Sequence, residues 1–193
     1  MNKLIISAAF AVSAISLPTA ALAQQAGQIL IVDSERVLSD CTACKVANSQ
    51  LQQKQAAMRA RAQTLQQQLQ TEGKPLQDEV EALNGKEPSA ALKAKITAFQ
   101  TKQKNAQQEL ATSQHTLEST LANVQQQIGT KLVGIVEQIR ARRSAAIVLS
   151  KNSTIANDAA IDVTGEVLAG LNQQLPAVSV VPMPQQQQQS QSR

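Results

Sequence analysis

An apolar repeat with a seven-residue spacing dominates the middle of this 193-residue chain. From about Lys45 onward the sequence is rich in Gln, Ala, Lys and Leu, which favour helix. Apolar residues recur there at steps of three, four and seven, as they do on the buried face of a coiled coil. The repeat consists of Leu51, Met58, Ala62, Leu65, Leu69, Leu76, Val80 and Leu83, followed by Leu92, Ile96, Phe99, Ala106, Leu110, Leu117, Leu121, Val124, Ile128, Leu132, Ile135 and Ile139.

A turn sequence divides this region in two. Residues 84–89, Asn-Gly-Lys-Glu-Pro-Ser, combine a helix C-cap residue, a turn pair and a proline that can start a helix. We therefore predict an antiparallel helical hairpin over residues 45–144, with its tip near 84–89. Two arms of about 40 and 55 residues would each reach about 60 to 80 Å. Gly73 and Pro75 predict a kink or a short break in the first arm, because proline removes a helical hydrogen bond.

Segments with strand character flank the hairpin and predict a small β-body. In residues 24–44, the β-branched run Ile29–Val32 predicts a buried strand, followed by a short helix that Ser34 could cap. Residues 145–174 are expected to hold the closing strands and a last helix. Thr154–Ala160 is a weaker strand candidate.

Such a body would need other copies of the chain. Three short strands make a marginal sheet with exposed edges. We therefore expect several subunits to join their strands into a barrel from which the hairpins project.

The two ends of the chain differ in composition and predict different segments. Lys3, the apolar stretch Leu4–Leu17 and the A-x-A sequence at Ala21–Ala23 predict a signal peptide over residues 1–23, hence export. No later apolar run approaches the roughly 20 residues that cross a bilayer, so the mature protein should be soluble. Residues 175–193 are rich in proline and glutamine and predict a disordered tail.

Both flanking segments resemble one known family. Ile29–Leu38, ILIVDSERVL, resembles the opening strand and short helix of the Skp/OmpH family of periplasmic chaperones. Ser144–Leu149 and Ile161–Asn172, IDVTGEVLAGLN, resemble its closing strand pair and C-terminal helix. The resemblance implies a homotrimer in which three helical hairpins enclose a cavity. This cavity would hold unfolded outer-membrane proteins without ATP.

Cys41 and Cys44 form a C-x-x-C pair and depart from the family pattern. An oxidising compartment favours a local disulfide. A redox-active pair, free thiols and a bridge between subunits are the alternatives. Two cysteines supply only half of a zinc site, and the single histidine, His115, is far away in sequence.

The segment after the predicted tip is basic. No acidic residue lies between Pro88 and Gln108. A solvated helix face is one interpretation. The other is that lysines attract acidic unfolded chains, or anionic lipid at a membrane surface. These candidate contact residues are Lys86, Lys93, Lys95, Lys102 and Lys104.

We therefore predict a mostly α-helical protein, a long antiparallel helical hairpin on a small β-body that closes into a barrel by trimerisation. Its predicted function is that of a periplasmic holdase for unfolded outer-membrane proteins. The alternatives are an exported coiled-coil adaptor and a C-x-x-C redox protein. We predict no enzyme, cofactor or nucleic-acid binding: Gly73-Lys74 and Gly85-Lys86 lack the rest of a phosphate loop, and the net charge is only +4.

Overall fold

The computed structural model describes residues 27–184; the predicted signal peptide, residues 1–23, lies outside them. The chain is mostly helical, with a long helical hairpin joined to a small two-stranded sheet. This confirms the predicted fold class, apart from trimerisation. The elements in chain order are β1 (Gln28–Val32), α1 (Ser34–Asp40), α2 (Thr42–Glu81), α3 (Ala90–Arg142), β2 (Ala145–Ser150) and α4 (Thr164–Gln174).

The arms of the hairpin are α2, with 40 residues, and α3, with 53. At 1.5 Å per residue they are about 60 and 80 Å long. The chain reverses through Asn84 and Gly85, whose φ angles of 45° and 85° are left-handed. This conformation is open to glycine and tolerated by asparagine, so the turn follows from the sequence. Ser89 then starts α3, because its Oγ accepts a hydrogen bond from the backbone N–H of Leu92.

The expected break at Gly73–Pro75 is absent: α2 continues as helix from Thr42 to Glu81. Proline removes one donor, but contacts to the other arm flank it on both sides. Glu72 and Glu79 of α2 form ion pairs with Lys102 and Lys95 of α3. Phe99 of α3 also packs directly against Gly73. This packing, together with the ion pairs, outweighs the local preference for a break.

The sheet brings together the two ends of the hairpin region. β1 pairs in parallel with β2, and Ile29 lies opposite Ile147. A parallel pair needs a long crossover connection, and here the whole hairpin supplies it. Within the described residues, the sheet has only these two strands.

A single apolar core joins the sheet to the base of the hairpin. Its members come from both strands, from α1 and α4, from the adjoining ends of α2 and α3 and from residues that cap these helices, so the body and hairpin share one interior. All of its side chains are aliphatic or cysteine. The buried members are Leu30, Val32, Val37, Cys41, Ala43, Cys44, Ile135, Ile139, Ala145, Val163, Val167, Leu171 and Leu175.

The weaker strand candidate, Thr154–Ala160, was wrong. This region forms irregular chain and short 3-10 turns at Lys151–Ser153 and Ala159–Ile161. Only an isolated bridge, between Ile31 and Asp162, extends the pairing of β1. Asp158 accepts a hydrogen bond from the backbone N–H of Ala160, which favours a turn over an extended strand.

The predicted disordered tail also differs from the structure in its first part. Residues 175–184 leave α4 as a segment without helix or strand, with bends at Pro176 and Val181, that lies along α3, and we call this segment the strap. Val180 and Met183 are buried. Proline and glutamine content predicts disorder only where no surface is available for the few apolar residues, and α3 offers one. Residues 185–193 lie outside the described residues.

Candidate functional site

The seam between α2 and α3 is only partly covered. Leu51 and Leu65 on α2 and Leu92 and Val124 on α3 are buried, whereas most other members of the apolar repeat are half-exposed. Two helices bury only one narrow stripe each, so the flanks of the seam remain open to solvent. The hairpin therefore presents apolar side chains in grooves along its length.

Three of these grooves follow one another from tip to base. The distal groove has a volume of about 950 Å³. The middle one, of about 370 Å³, includes Met58 and Leu117, and the one near the base measures about 520 Å³. Apolar residues of the distal groove are Leu69, Leu76, Val80, Ile96 and Phe99.

Phe99 accounts for the glycine in the middle of α2. Its ring lies against Gly73, where an added Cβ would come within 2.8 Å of the ring carbon Cζ. Glycine normally weakens a helix interior, but here it leaves room for the bulkiest side chain of the seam. The sequence signal at Gly73 therefore marks a close approach between the arms and not a helix end.

Ion pairs link the two arms at intervals. Arg61 of α2 contacts Glu109 of α3 at 2.6 Å. Farther toward the tip, Glu79 contacts Lys95 at 2.8 Å, and Glu72 contacts Lys102. All of these side chains are about half exposed, so each pair adds little stability. Together the pairs favour one register of the arms.

Within the described residues, three of the five lysines proposed from the sequence form ion pairs, and two do not. Lys95 and Lys102 contact acids of the other arm, and Lys93 contacts Glu87 at 2.5 Å. Lys86 and Lys104 are exposed and form no ion pair within residues 27–184. The structure therefore does not gather the five lysines into one cluster.

The acids that pair with Lys95 and Lys102 lie on the other arm, so the charge pattern of the basic segment alone does not reveal them. In an antiparallel hairpin, residues whose numbers add to a nearly constant sum lie side by side. Glu72 with Lys102 and Glu79 with Lys95 share the same sum. An antiparallel alignment of the two arms about the predicted tip at 84–89 places both of these pairs side by side.

Three carboxyl groups have lowered pKa values. The hydrogen bond from Arg61 lowers the pKa of Glu109, and the one from Arg140 lowers the pKa of Glu137, although both acids remain at the surface. Hydrogen bonds from the side chain and backbone of Thr164 lower the pKa of Asp162, and Lys151 adds to this effect. All three shifts favour the carboxylate over its neutral acid form. None of the three groups lies in an enclosed pocket suited to acid–base catalysis.

The cysteine pair lies in the body core. Cys41 and Cys44 form a disulfide across the start of α2, with their Cα atoms 5.2 Å apart. Cys41 is fully buried and Cys44 is 7% exposed. The Cys41 sulfur also accepts a hydrogen bond from the backbone N–H of Cys44, and so caps α2. A redox partner would need access to a sulfur atom, and this burial restricts it.

An apolar area lies on the sheet. The facing residues Ile29 and Ile147 are 47% and 45% exposed. Within residues 27–184, β2 pairs with β1 on one side only, so its other edge is free. An unpaired edge beside exposed isoleucines is a surface that another chain can cover.

Neither a metal-binding cluster nor a membrane-spanning helix occurs in the part of the chain that the structure describes. Between residues 27 and 184 there is no group of three or more His, Cys, Asp or Glu side chains that could hold a metal ion. His115 is an exposed residue of α3. None of the described helices is long and apolar enough to cross a membrane.

Comparison with known proteins then decides the family. The model of a family described as outer membrane protein (OmpH-like) matches residues 28–171. The chain belongs to this OmpH-like family. A solved structure of a candidate outer membrane chaperone (OmpH-like) from Caulobacter crescentus CB15 is similar, with a TM-score of 0.66 and 18% identity, covering 83% of this chain and 93% of that one. Among curated proteins no match was found.

Membership in the OmpH-like family supports a chaperone role and agrees with the fold. The family is non-enzymatic. The matched residues begin at β1 and end inside α4, so they include the body and the whole hairpin. The strap, residues 175–184, lies beyond them.

The disulfide should contribute to stability. Replacing both cysteines, Cys41→Ala with Cys44→Ala, should lower the free energy of unfolding by about 2 kcal/mol, because a four-residue loop in the unfolded chain is no longer closed. Guanidinium unfolding followed by circular dichroism, at one fixed protomer concentration, measures the change. Wild type treated with a reductant is the control and should shift to the same midpoint. An unchanged midpoint in both samples would mean that the pair does not stabilise the body.

Proposed function

We propose that this chain is an ATP-independent periplasmic holdase. It binds unfolded outer-membrane proteins in a cavity between the helical hairpins of a homotrimer and prevents their aggregation. The observation that carries this proposal is the series of open apolar grooves along a hairpin about 60 to 80 Å long. Family membership supports it.

The grooves suit a client without fixed structure. Their apolar residues are Leu, Ile, Val, Met and one Phe, and polar residues such as Gln70 and Gln77 flank them. Each groove offers a small area, so individual contacts are weak and can exchange. Many weak contacts along two long helices retain an unfolded chain without imposing a shape on it.

The compartment agrees with this activity. The sequence of residues 1–23 predicts export, and the chain has no nucleotide-binding loop. A periplasmic protein would have to work without ATP. Passive binding and release meet that requirement.

The trimer part of the proposal is supported by the sheet. Ile29 and Ile147 are exposed side by side, and β2 has a free edge. Pairing of this edge with another copy would enlarge a sheet that is marginal alone, and closure of the strands into a barrel would cover the face that carries both isoleucines. Three copies would also set their hairpins around a common space.

Two alternatives are less well supported. An adaptor that binds one folded partner would use a defined apolar patch, whereas the apolar surface of the hairpin is spread over separate grooves. A redox protein would need a reachable sulfur atom, and Cys41 is fully buried.

Suppression of aggregation tests the holdase directly. A urea-denatured outer-membrane β-barrel protein, diluted into buffer, should scatter less light in the presence of the wild-type chain. Val80→Gln, in the distal groove, should weaken client binding about fivefold, since it removes apolar area worth about 1 kcal/mol.

Val46→Gln makes the same change at an exposed valine outside the three grooves and should bind like wild type. The Cys41→Ala, Cys44→Ala double variant should also suppress aggregation. Equal scattering with and without wild-type protein would rule out the holdase.

The unpaired lysines should affect the rate of capture. Lys104→Glu should slow association with an acidic unfolded client severalfold at low ionic strength, because steering by exposed charges is lost. The effect should disappear in high salt. Lys131→Glu changes the net charge equally but lies about 40 Å away along α3, and should have a smaller effect. Stopped-flow fluorescence measures both rates, and equal rates for Lys104→Glu and wild type would argue against steering.

Mass in solution tests the assembly. Light scattering should give wild type about three times the protomer mass. Ile147→Glu places a charge on the exposed sheet face and should reduce the mass to one protomer. Val80→Gln, at the far end of the hairpin, should keep the full mass. A wild-type protein with the mass of one protomer would overturn the trimer.

A further inference from the structure

The strap is held on α3 mainly through its backbone. Ser179 donates its N–H to Gln127 Oε1 at 3.0 Å, and its carbonyl accepts from Gln127 Nε2 at 3.0 Å. Asn123 Nδ2 donates to the carbonyl of Val181 at 3.0 Å. The N–H of Met183 donates to Ser119 Oγ, also at 3.0 Å. We call Ser119, Asn123 and Gln127 the polar ladder.

The polar ladder binds every second residue of the strap. Its members are four residues apart on α3, which corresponds to about 6 Å along the helix. Their partners, Met183, Val181 and Ser179, are two residues apart on the strap, which has no helix or strand and bends at Val181. One helix face therefore holds the backbone of an irregular segment at three regularly spaced points.

Of the side chains between the hydrogen-bonded residues, that of Val180 enters the seam, whereas Pro182 is exposed. Val180 is 8% exposed and packs with Ala47 and Leu51 of α2 and Val124 of α3. Val181, the next residue, is 53% exposed. The site thus combines backbone recognition with an apolar position that any side chain of suitable size can fill.

We propose that the polar ladder and the adjoining seam form a binding site for a segment of unfolded polypeptide, and that the strap occupies this site in the absence of client. The inference rests on the proposed holdase function and identifies one of its contact surfaces. The ligand is a segment whose backbone bonds to the ladder and which places an apolar side chain at the position of Val180. Strands of outer-membrane β-barrels, in which apolar and polar residues alternate, supply many such segments when the barrel is unfolded.

Nothing in the contacts of the ladder requires the sequence of the strap. Each hydrogen bond goes to a backbone N–H or carbonyl, and every residue except proline has both groups. Pro176, Pro182 and Pro184 stiffen the strap and remove three donors, which reduces its tendency to add to a sheet. The strap can therefore cover the site and leave it when a longer unfolded segment competes.

A matched pair of variants in the full chain distinguishes the state with the strap bound to α3 from the state with the strap released. Val180→Asp places a charge in the apolar seam and should release the strap. Val181→Asp makes the same change at the neighbouring exposed position and should leave the strap bound. Neither variant alters the polar ladder or the body core.

Hydrogen exchange followed by mass spectrometry reports on the strap itself. The amides of Ser179 and Met183 should be protected in wild type and Val181→Asp, and should exchange freely in Val180→Asp. Addition of a urea-denatured outer-membrane β-barrel protein to wild type should remove this protection. Val180→Asp should bind that client severalfold more tightly than Val181→Asp, because an intramolecular competitor is gone. Adding Gln127→Ala to Val180→Asp should reverse the gain.

The outcomes distinguish this inference from the holdase function. If wild type suppresses aggregation while its strap stays protected and Val180→Asp binds client like Val181→Asp, the strap is a fixed structural element and the inference is wrong. If wild type fails to suppress aggregation, both the holdase and the client site are wrong. Loss of strap protection with client, together with the effect of Gln127→Ala, would establish the site.

Discussion

The core at the base of the hairpin is the contact on which the rest of the molecule depends. The seam between α2 and α3 is thin and partly exposed, so the two arms bury little apolar surface on each other, and helices in proteins depend on such packing. Ile135 and Ile139 of α3 enter the same core as Val167 and Leu171 of α4. This core fixes one end of the hairpin, so the grooves farther out can stay open without loss of the fold.

Farther along the hairpin, ion pairs between partly exposed side chains help to keep α2 and α3 in register. Arg61 with Glu109, Glu72 with Lys102 and Glu79 with Lys95 connect the arms without filling the space between them. Apolar residues that filled the grooves would make a stronger coiled coil but would remove the proposed client surface. The thin seam and the weak charge pairs are therefore consistent with one another and with a chaperone.

Sequence patterns predicted the elements better than their contacts. The apolar repeat and the turn at Asn84-Gly85 contain local signals for helix and reversal, and the structure agrees. Three predictions were wrong: a strand at Thr154–Ala160, where Asp158 favours a turn, a break at Pro75, and disorder of the strap. The last two have the same kind of cause. Both follow from tertiary contacts, namely Phe99 and the ion pairs beside Pro75, and the surface of α3 beneath Val180. Local composition carries no information about a distant partner, so propensity alone suggested a break and a disordered tail.

The aliphatic interior of this protein has a spectroscopic consequence. The chain has no tryptophan or tyrosine, and Phe99 beside Gly73 is the one aromatic ring among residues 27–184. It therefore absorbs almost no light at 280 nm and has no indole emission. Outer-membrane β-barrels carry girdles of aromatic residues. In a mixture of the two, nearly all absorbance at 280 nm and all tryptophan emission would come from the client chain, and a shift of that emission on binding would report the polarity around the client without any label.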